Sequence, residues 1–250
     1  MGSTGGSGGV TVVMNINGAA GMASTARFLL WIDGVGGLLV STGDRVLLGQ
    51  AVPGNPVDVP ILADIARRHV RIHREDRYLL EPLSDVWIRQ RPVQSMSVLS
   101  DGDTFRLGSG LEMRFRQPHA LSATARLEWV SHHRTRPQVD AVLLMADTCV
   151  LGPQLHSHVI CRDWSQEVVL YRQGGDWMCR CRDGLEVDGR FSSGSQAVTW
   201  DSHVRGSDFS FSLERIEAAV GETLGRADAQ ARRATRPVAT FEQGGGDHAT

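Results

Sequence analysis

Cys149, His156, His158, Cys161, Cys179 and Cys181 fall close together and are residue types that hold zinc. A structural zinc site uses Cys-x2-Cys or His-x3–5-His pairs, and neither spacing occurs here. If the stretch is a strand, His156 and His158 share one face and Cys161 takes the other; Cys179 and Cys181 share a face. Two same-face strand cysteines do not reach disulfide geometry without distortion. The expectation is therefore buried core cysteines, with no metal and no cofactor. A metal- or redox-active protein using this cluster is the alternative of a different class. Four cysteines confined to 149–181 fit a reducing compartment better than a disulfide framework, so the chain is expected in the cytoplasm.

Other chemistry is limited by composition. All 26 basic residues are arginine, so neither a Schiff-base lysine nor a P-loop lysine exists. Ser122, Asp101 and His119 can be assembled into a triad on paper, but no nucleophile–base–acid spacing supports it, and no enzyme is expected. Gly34-Val-Gly-Gly37 resembles half a dinucleotide loop, yet no helix follows to receive a pyrophosphate. His132-His133 with Arg134 and Arg136 is too short a basic stretch for nucleic acid, and the net charge is −2. Apolar runs such as Ala141–Ala146 are far shorter than the roughly 20 residues of a membrane helix. No membrane insertion is expected, and the Gly/Ser-rich start lacks the pattern of a signal peptide.

These residues have to be positioned by strands. Phe28–Ile32 precedes Asp33-Gly34, a hairpin signal, and then Gly36–Val40. Arg45–Leu48, His69–Ile72, Tyr78–Leu80, Asp85–Ile88, Thr104–Leu107 and Leu111–Phe115 follow, punctuated by Gly, Pro and Asp-Gly. Leu111–Phe115 alternates apolar and polar residues, as a half-buried strand does. Short strands at this spacing indicate an antiparallel β-sandwich. The six tryptophans sit in or beside strands, where packing explains them.

The pattern repeats at an offset near one hundred. Asp58–Ala66 matches Ser157–Ser165, and Arg45–Gly49 matches Thr148–Gly152. Val70–Ile72 matches Val168–Leu170, Asp85–Ile88 matches Gly184–Val187, and Leu111–Phe115 matches Phe209–Leu213. The expected architecture is all-β: two tandem antiparallel sandwiches at 27–118 and 139–216, joined by a linker or bridging strand at 119–138. Glycine-rich residues 1–26 and Ala/Arg/Gly-rich residues 217–250 are expected to be flexible tails, apart from a short helix at Ile216–Leu224.

The order of landmarks in the first copy resembles the forkhead-associated (FHA) domain: Leu48-Gly49-Gln50, Asp58–Ile61, Ala66-Arg67-Arg68-His69, Ile88-Arg89-Gln90, Asp101-Gly102-Asp103 and Leu107-Gly108. The resemblance implies a phosphothreonine-peptide reader. In such domains a Gly-Arg arginine clamps phosphate, a Ser-x-x-His serine adds a hydroxyl donor, and an asparagine holds the peptide backbone. Here Gln50 stands for the arginine, Ala66 for the serine and Arg89-Gln90 for Asn-Gly, while His69 keeps its architectural place. Arg67, Arg89 and Arg91 are the cations from which a rearranged site would be built, with Gln50, Arg67 and Arg89 expected on loops at one end of the sandwich. In the fainter second copy Ser165 remains, but Pro153 and Asp188 replace arginine and asparagine, so a structural role is expected.

The expected function is a non-enzymatic FHA-type scaffold or interaction module that binds a protein or peptide without needing phosphate. The phosphopeptide-loop candidates are Gln50, Ala66, Arg67, Arg68, His69, Arg89, Gln90 and Arg91. The alternative is a phosphothreonine-peptide reader with a rearranged arginine site. Oligomeric state, pathway and partner identity are left open by the sequence.

Overall fold

The computed structural model describes residues 27–119 and 121–216. The two terminal segments and the helix expected at 216–224 lie outside those residues, apart from Ile216 itself. The described chain is all-β, without a helix, and no helix in it is long and apolar enough to cross a membrane.

Eleven strands come first. They are β1 (Arg27–Ile32), β2 (Gly36–Ser41), β3 (Arg45–Gln50), β4 (Val59–Leu62), β5 (Val70–Arg74), β6 (Tyr78–Pro82), β7 (Val86–Ile88), β8 (Arg91–Val93), β9 (Ser97–Val98), β10 (Thr104–Leu107) and β11 (Leu111–Arg116). Next are β12 (Ala125–Trp129), β13 (Arg134–Thr135), β14 (Ala141–Leu144), β15 (Thr148–Gly152), β16 (Val159–Ile160) and β17 (Val168–Gln173). The last are β18 (Asp176–Cys181), β19 (Leu185–Val187), β20 (Arg190–Ser192), β21 (Gln196–Val198), β22 (His203–Arg205) and β23 (Ser210–Arg215).

The strands form three sheets. The central one has 12 strands in the order β20-β19-β22-β23-β1-β2-β14-β12-β11-β10-β7-β8. A 6-stranded sheet runs β13-β4-β3-β5-β6-β9, and a 5-stranded sheet runs β16-β15-β17-β18-β21. Pairing is antiparallel except at β3–β4, β15–β16 and β2–β14.

The order of the central sheet reads the same from both ends. β11 pairs with β12 as β23 pairs with β1, and the hairpins β1–β2 and β12–β14 meet at a parallel joint in the middle. Residues 27–41, which precede the first set of sheet strands, therefore take their outer partner from the last strand of the second set. Residues 125–129, between the two sets, extend the first set instead. The two opening hairpins are exchanged between the halves.

Burial explains why the exchanged strands are continuous apolar runs. Phe28, Leu30, Ile32, Leu38 and Val40 pack into one core with the 5-stranded sheet, while Leu29 and Leu39 pack into the other with the 6-stranded sheet. The two smaller sheets thus cover opposite faces of the central one, and strands buried on both faces lose the usual alternation. β11, buried on one face, keeps it.

The joint is held by side chains too. Gly37 N–H donates to Asp140 Oδ2 at 2.8 Å, and Asp140 N–H returns a bond to Gly37 O at 2.7 Å. Trp31 lies across Gly37, where an added Cβ would come 2.3 Å from the ring, and its indole N–H donates to Glu214 Oε2 at 2.6 Å. In the core, the buried Tyr78 hydroxyl donates to Ala123 O at 2.6 Å and ties the 6-stranded sheet to the segment entering β12; burial pushes its pKa up to about 12.

Candidate functional site

At the C-terminal end of β3, three loops of the first half are bound together. Gln50 N–H donates to Ala66 O at 3.2 Å, and its side-chain amide donates to Ala63 O at 3.3 Å. Asn55 Nδ2 donates to both Gln50 O and Arg67 O at 2.8 Å. Gly49 is required beside them, because an added Cβ would stand 1.8 Å from Arg67 O. His69, buried, accepts Ala66 N–H at Nδ1 (3.0 Å), so its proton sits on Nε2 and is donated to Asp85 O at 2.9 Å. Its carbonyl accepts the N–H groups of Leu83 and Ser84. Gln50, Ala66, Arg67, Arg68 and His69 are thereby brought together, with the Arg67 and Arg68 side chains exposed.

Arg89, Gln90 and Arg91 are elsewhere. Arg89 and Gln90 form the left-handed turn between β7 and β8, with φ of 49° and 66°. Arg89 Nε donates to Oδ1 of the buried Asp103 at 2.5 Å. Asp103 precedes β10, whose other end leads to Gly108, beside Ile65 and His69. Four residues of strand separate the two ends by roughly 13 Å. The candidate residues, expected at one end of the sandwich, are split between its two ends, and Arg89 is engaged by a carboxylate.

In the second half a concavity of about 670 Å3 lies between Pro153, His156, Ser165, Glu167, Arg180, Arg182 and Ser195. Ser165 N–H donates to Asp208 Oδ2 at 2.5 Å, and bonding from Ser165 holds that carboxyl below the usual carboxylate range. His156 pairs with Glu167 at 3.1 Å. Asp188, expected in the asparagine place near Ser165, is at the opposite end, where it accepts Ser202 Oγ–H (2.9 Å) and His203 N–H (2.8 Å). The carboxylate beside Ser165 is Asp208. Asn55 and Asp208 were not singled out from sequence; Asn55 lies in a Gly-Asn-Pro turn, and Asp208 is 43 residues from its partner.

The remaining constellations are accounted for by packing and hydrogen bonds. Cys149, Cys161, Cys179 and Cys181 are buried free thiols in one core. Burial raises all four pKa values, that of Cys161 to about 12. Among the described residues no three His, Cys, Asp or Glu side chains converge as a metal site. The strand-parity expectation for His156 and His158 fails because residues 153–158 are turn; His156 is exposed and His158 buried.

His158 Nδ1 accepts Val150 N–H (2.9 Å), which places its proton on Nε2, facing Ser122 Oγ at 2.7 Å. It therefore donates to Ser122 and does not serve it as a base. Burial above all, then the charges of His119, Arg126 and His156, lowers its pKa to about 4.

A scan against protein-family models and a search of curated proteins both find no match. Solved structures similar to the chain are FHA domains. That of the CT664 protein from Chlamydia trachomatis is 26% identical, spanning 33% of this chain and 89% of its own, with a TM-score of 0.25. That of an Arabidopsis thaliana hypothetical protein is 23% identical, spanning 37% and 85%, with a TM-score of 0.25. The N-terminal FHA domain from EssC, a component of the bacterial type VII secretion apparatus, is 10% identical, spanning 77% and 94%, with a TM-score of 0.22.

Proposed function

We infer that the chain is a non-enzymatic protein-interaction scaffold of two FHA-type units, 27–118 and 139–216 in chain order but with their opening hairpins exchanged, that binds a protein or peptide independently of phosphate. The reading is supported most directly by the use of the loop-end donors within the chain itself. Gln50, in the place of a charged clamp, spends its amide on Ala63 O, and Ser165 spends its N–H on Asp208. A phosphate arriving at Ser165 meets a carboxylate, which repels it. A rearranged arginine site has no support from Arg89, which is paired with Asp103.

The concavity beside Arg180 and Arg182 is the surface offered to a partner, whose backbone carbonyls the two guanidinium groups can bind. Four unpaired cysteines suit a cytoplasmic setting. The test is binding of the full chain to a phosphothreonine-peptide library and to the same library without phosphate, at moderate salt. Equal binding by the two libraries is expected. Binding selective for phosphate and lost on dephosphorylation overturns the reading.

A further inference from the structure

We propose that the C-terminal segment Ala234-Thr235-Arg236 adds as a strand to the open edge of β16, in the way β13 closes the edge of β4. β13 comes from the segment between the two halves and pairs antiparallel with β4, Thr135 opposite Ile61 and Arg134 opposite Leu62, with Arg136 N–H donating to Pro60 O at 2.9 Å. Thr135 is the one buried residue of His132–Gln138; Arg134, Arg136 and Pro137 are exposed. The second half has the same parallel pair, β15–β16, but among the described residues β16 ends its sheet. β16 is Val159–Ile160, and Cys161 N–H donates inward to Gly152 O, so by strand alternation the N–H and C=O of Ile160 face outward; Arg162 follows in the turn closed by Trp164 N–H on Cys161 O. An open row of such groups is a template for another strand.

The occupant is written in the chain. Thr135-Arg136-Pro137 recurs one hundred positions on as Thr235-Arg236-Pro237, preceded by the basic pair Arg232-Arg233 as the first copy is by His132-His133. The same offset carries Ile61 onto Cys161 and Leu62 onto Arg162, so the register Thr235 opposite Cys161 and Ala234 opposite Arg162 follows. β13 begins eighteen positions past the end of β11, and Ala234 lies nineteen past the end of β23. Nineteen residues reach up to about 60 Å extended, ample to cross a sandwich. Ile160, unlike Pro60 in the first half, has an N–H to give, so this edge gains a donor that the β4 edge lacks.

Residue-resolved amide exchange on the full chain tests this, with a chain ending at Asp228 and the full-length Ala234→Pro variant beside it. Exchange of Ile160 is expected to become at least about tenfold faster in both altered chains, with Cys161, bonded to Gly152, unchanged. Equal exchange in all three chains overturns the proposal. Protection that rises with protein concentration overturns it too, because the strand then comes from a second copy.

Discussion

The Arg89 guanidinium closes on the buried Asp103 carboxylate at 2.5 Å, and the equivalent turn of the second half repeats the link with other chemistry, Asp188 holding Ser202 at 2.9 Å. In each half the first, left-handed residue of the β7–β8 or β19–β20 turn is tied to the residue that leads toward β10 or β22. A cation–carboxylate pair and a carboxylate–hydroxyl pair serve one purpose, which is to lock a tight turn onto its neighbour. In both halves the side chain at this position locks the turn onto its neighbour.

Replacing Arg89 by alanine leaves Asp103 buried with only Ser100 N–H at its other oxygen. The expected loss is about 1–2 kcal/mol of stability, read by urea unfolding. Peptide binding should be unchanged. A drop in affinity without a drop in stability would assign Arg89 to the binding surface.

The exchanged hairpin makes a second, less intuitive prediction. Phe28 is near the start of the described chain, yet its ring lies 5.1 Å from Trp200 and 6.5 Å from Trp177, at the far end of the sequence. Phe28→Ala should cost about 3–5 kcal/mol, as large-to-small changes in packed cores do. The indole NMR signals of Trp177 and Trp200 should shift, and that of Trp87 should not. Undisturbed Trp200 together with a shifted Trp129 would place the hairpin on the first half instead.

Strands were legible in the sequence wherever burial is one-sided. Leu111–Phe115 alternates because one face meets the core, and Asp33-Gly34 announces its hairpin because glycine supplies the φ of +75° the turn needs. The partner of a strand was not legible: Phe28–Ile32 says that both faces are buried, not that β23 lies beside it. Site geometry failed for the same reason. Motif order places Arg89 after Ala66 along the chain, but the length of β7 carries it to the other end of the sandwich. The Ser165–Asp208 bond joins residues 43 apart, and no local pattern encodes it.

The buried cysteines allow a direct check on redox chemistry. The thiolate is the reactive form, and burial disfavours it at Cys149, Cys161 and Cys179 above all. An aromatic disulfide reagent at pH 8 should leave the native chain unmodified over hours and label four thiols once the chain is unfolded. Rapid stoichiometric labelling of the native protein would restore a redox role for the cluster.

His158 sets the acid side of the stability profile. Its pKa is about 4 in the folded chain against 6.5 for an ordinary histidine, with burial the main cause. Between those values the unfolded chain binds a proton that the folded chain refuses. Stability from this residue is therefore complete above about pH 6.5 and falls as pH drops toward 4, by about 2–3 kcal/mol in all. Protonating Nδ1 would also break its bond from Val150 N–H, since an imidazolium has no acceptor. His158→Gln keeps an acceptor for Val150 and a donor for Ser122 but does not titrate. Melting temperatures measured from pH 7 to pH 4 should fall more steeply for the parent chain than for this variant, and parallel curves would show that another group carries the acid sensitivity.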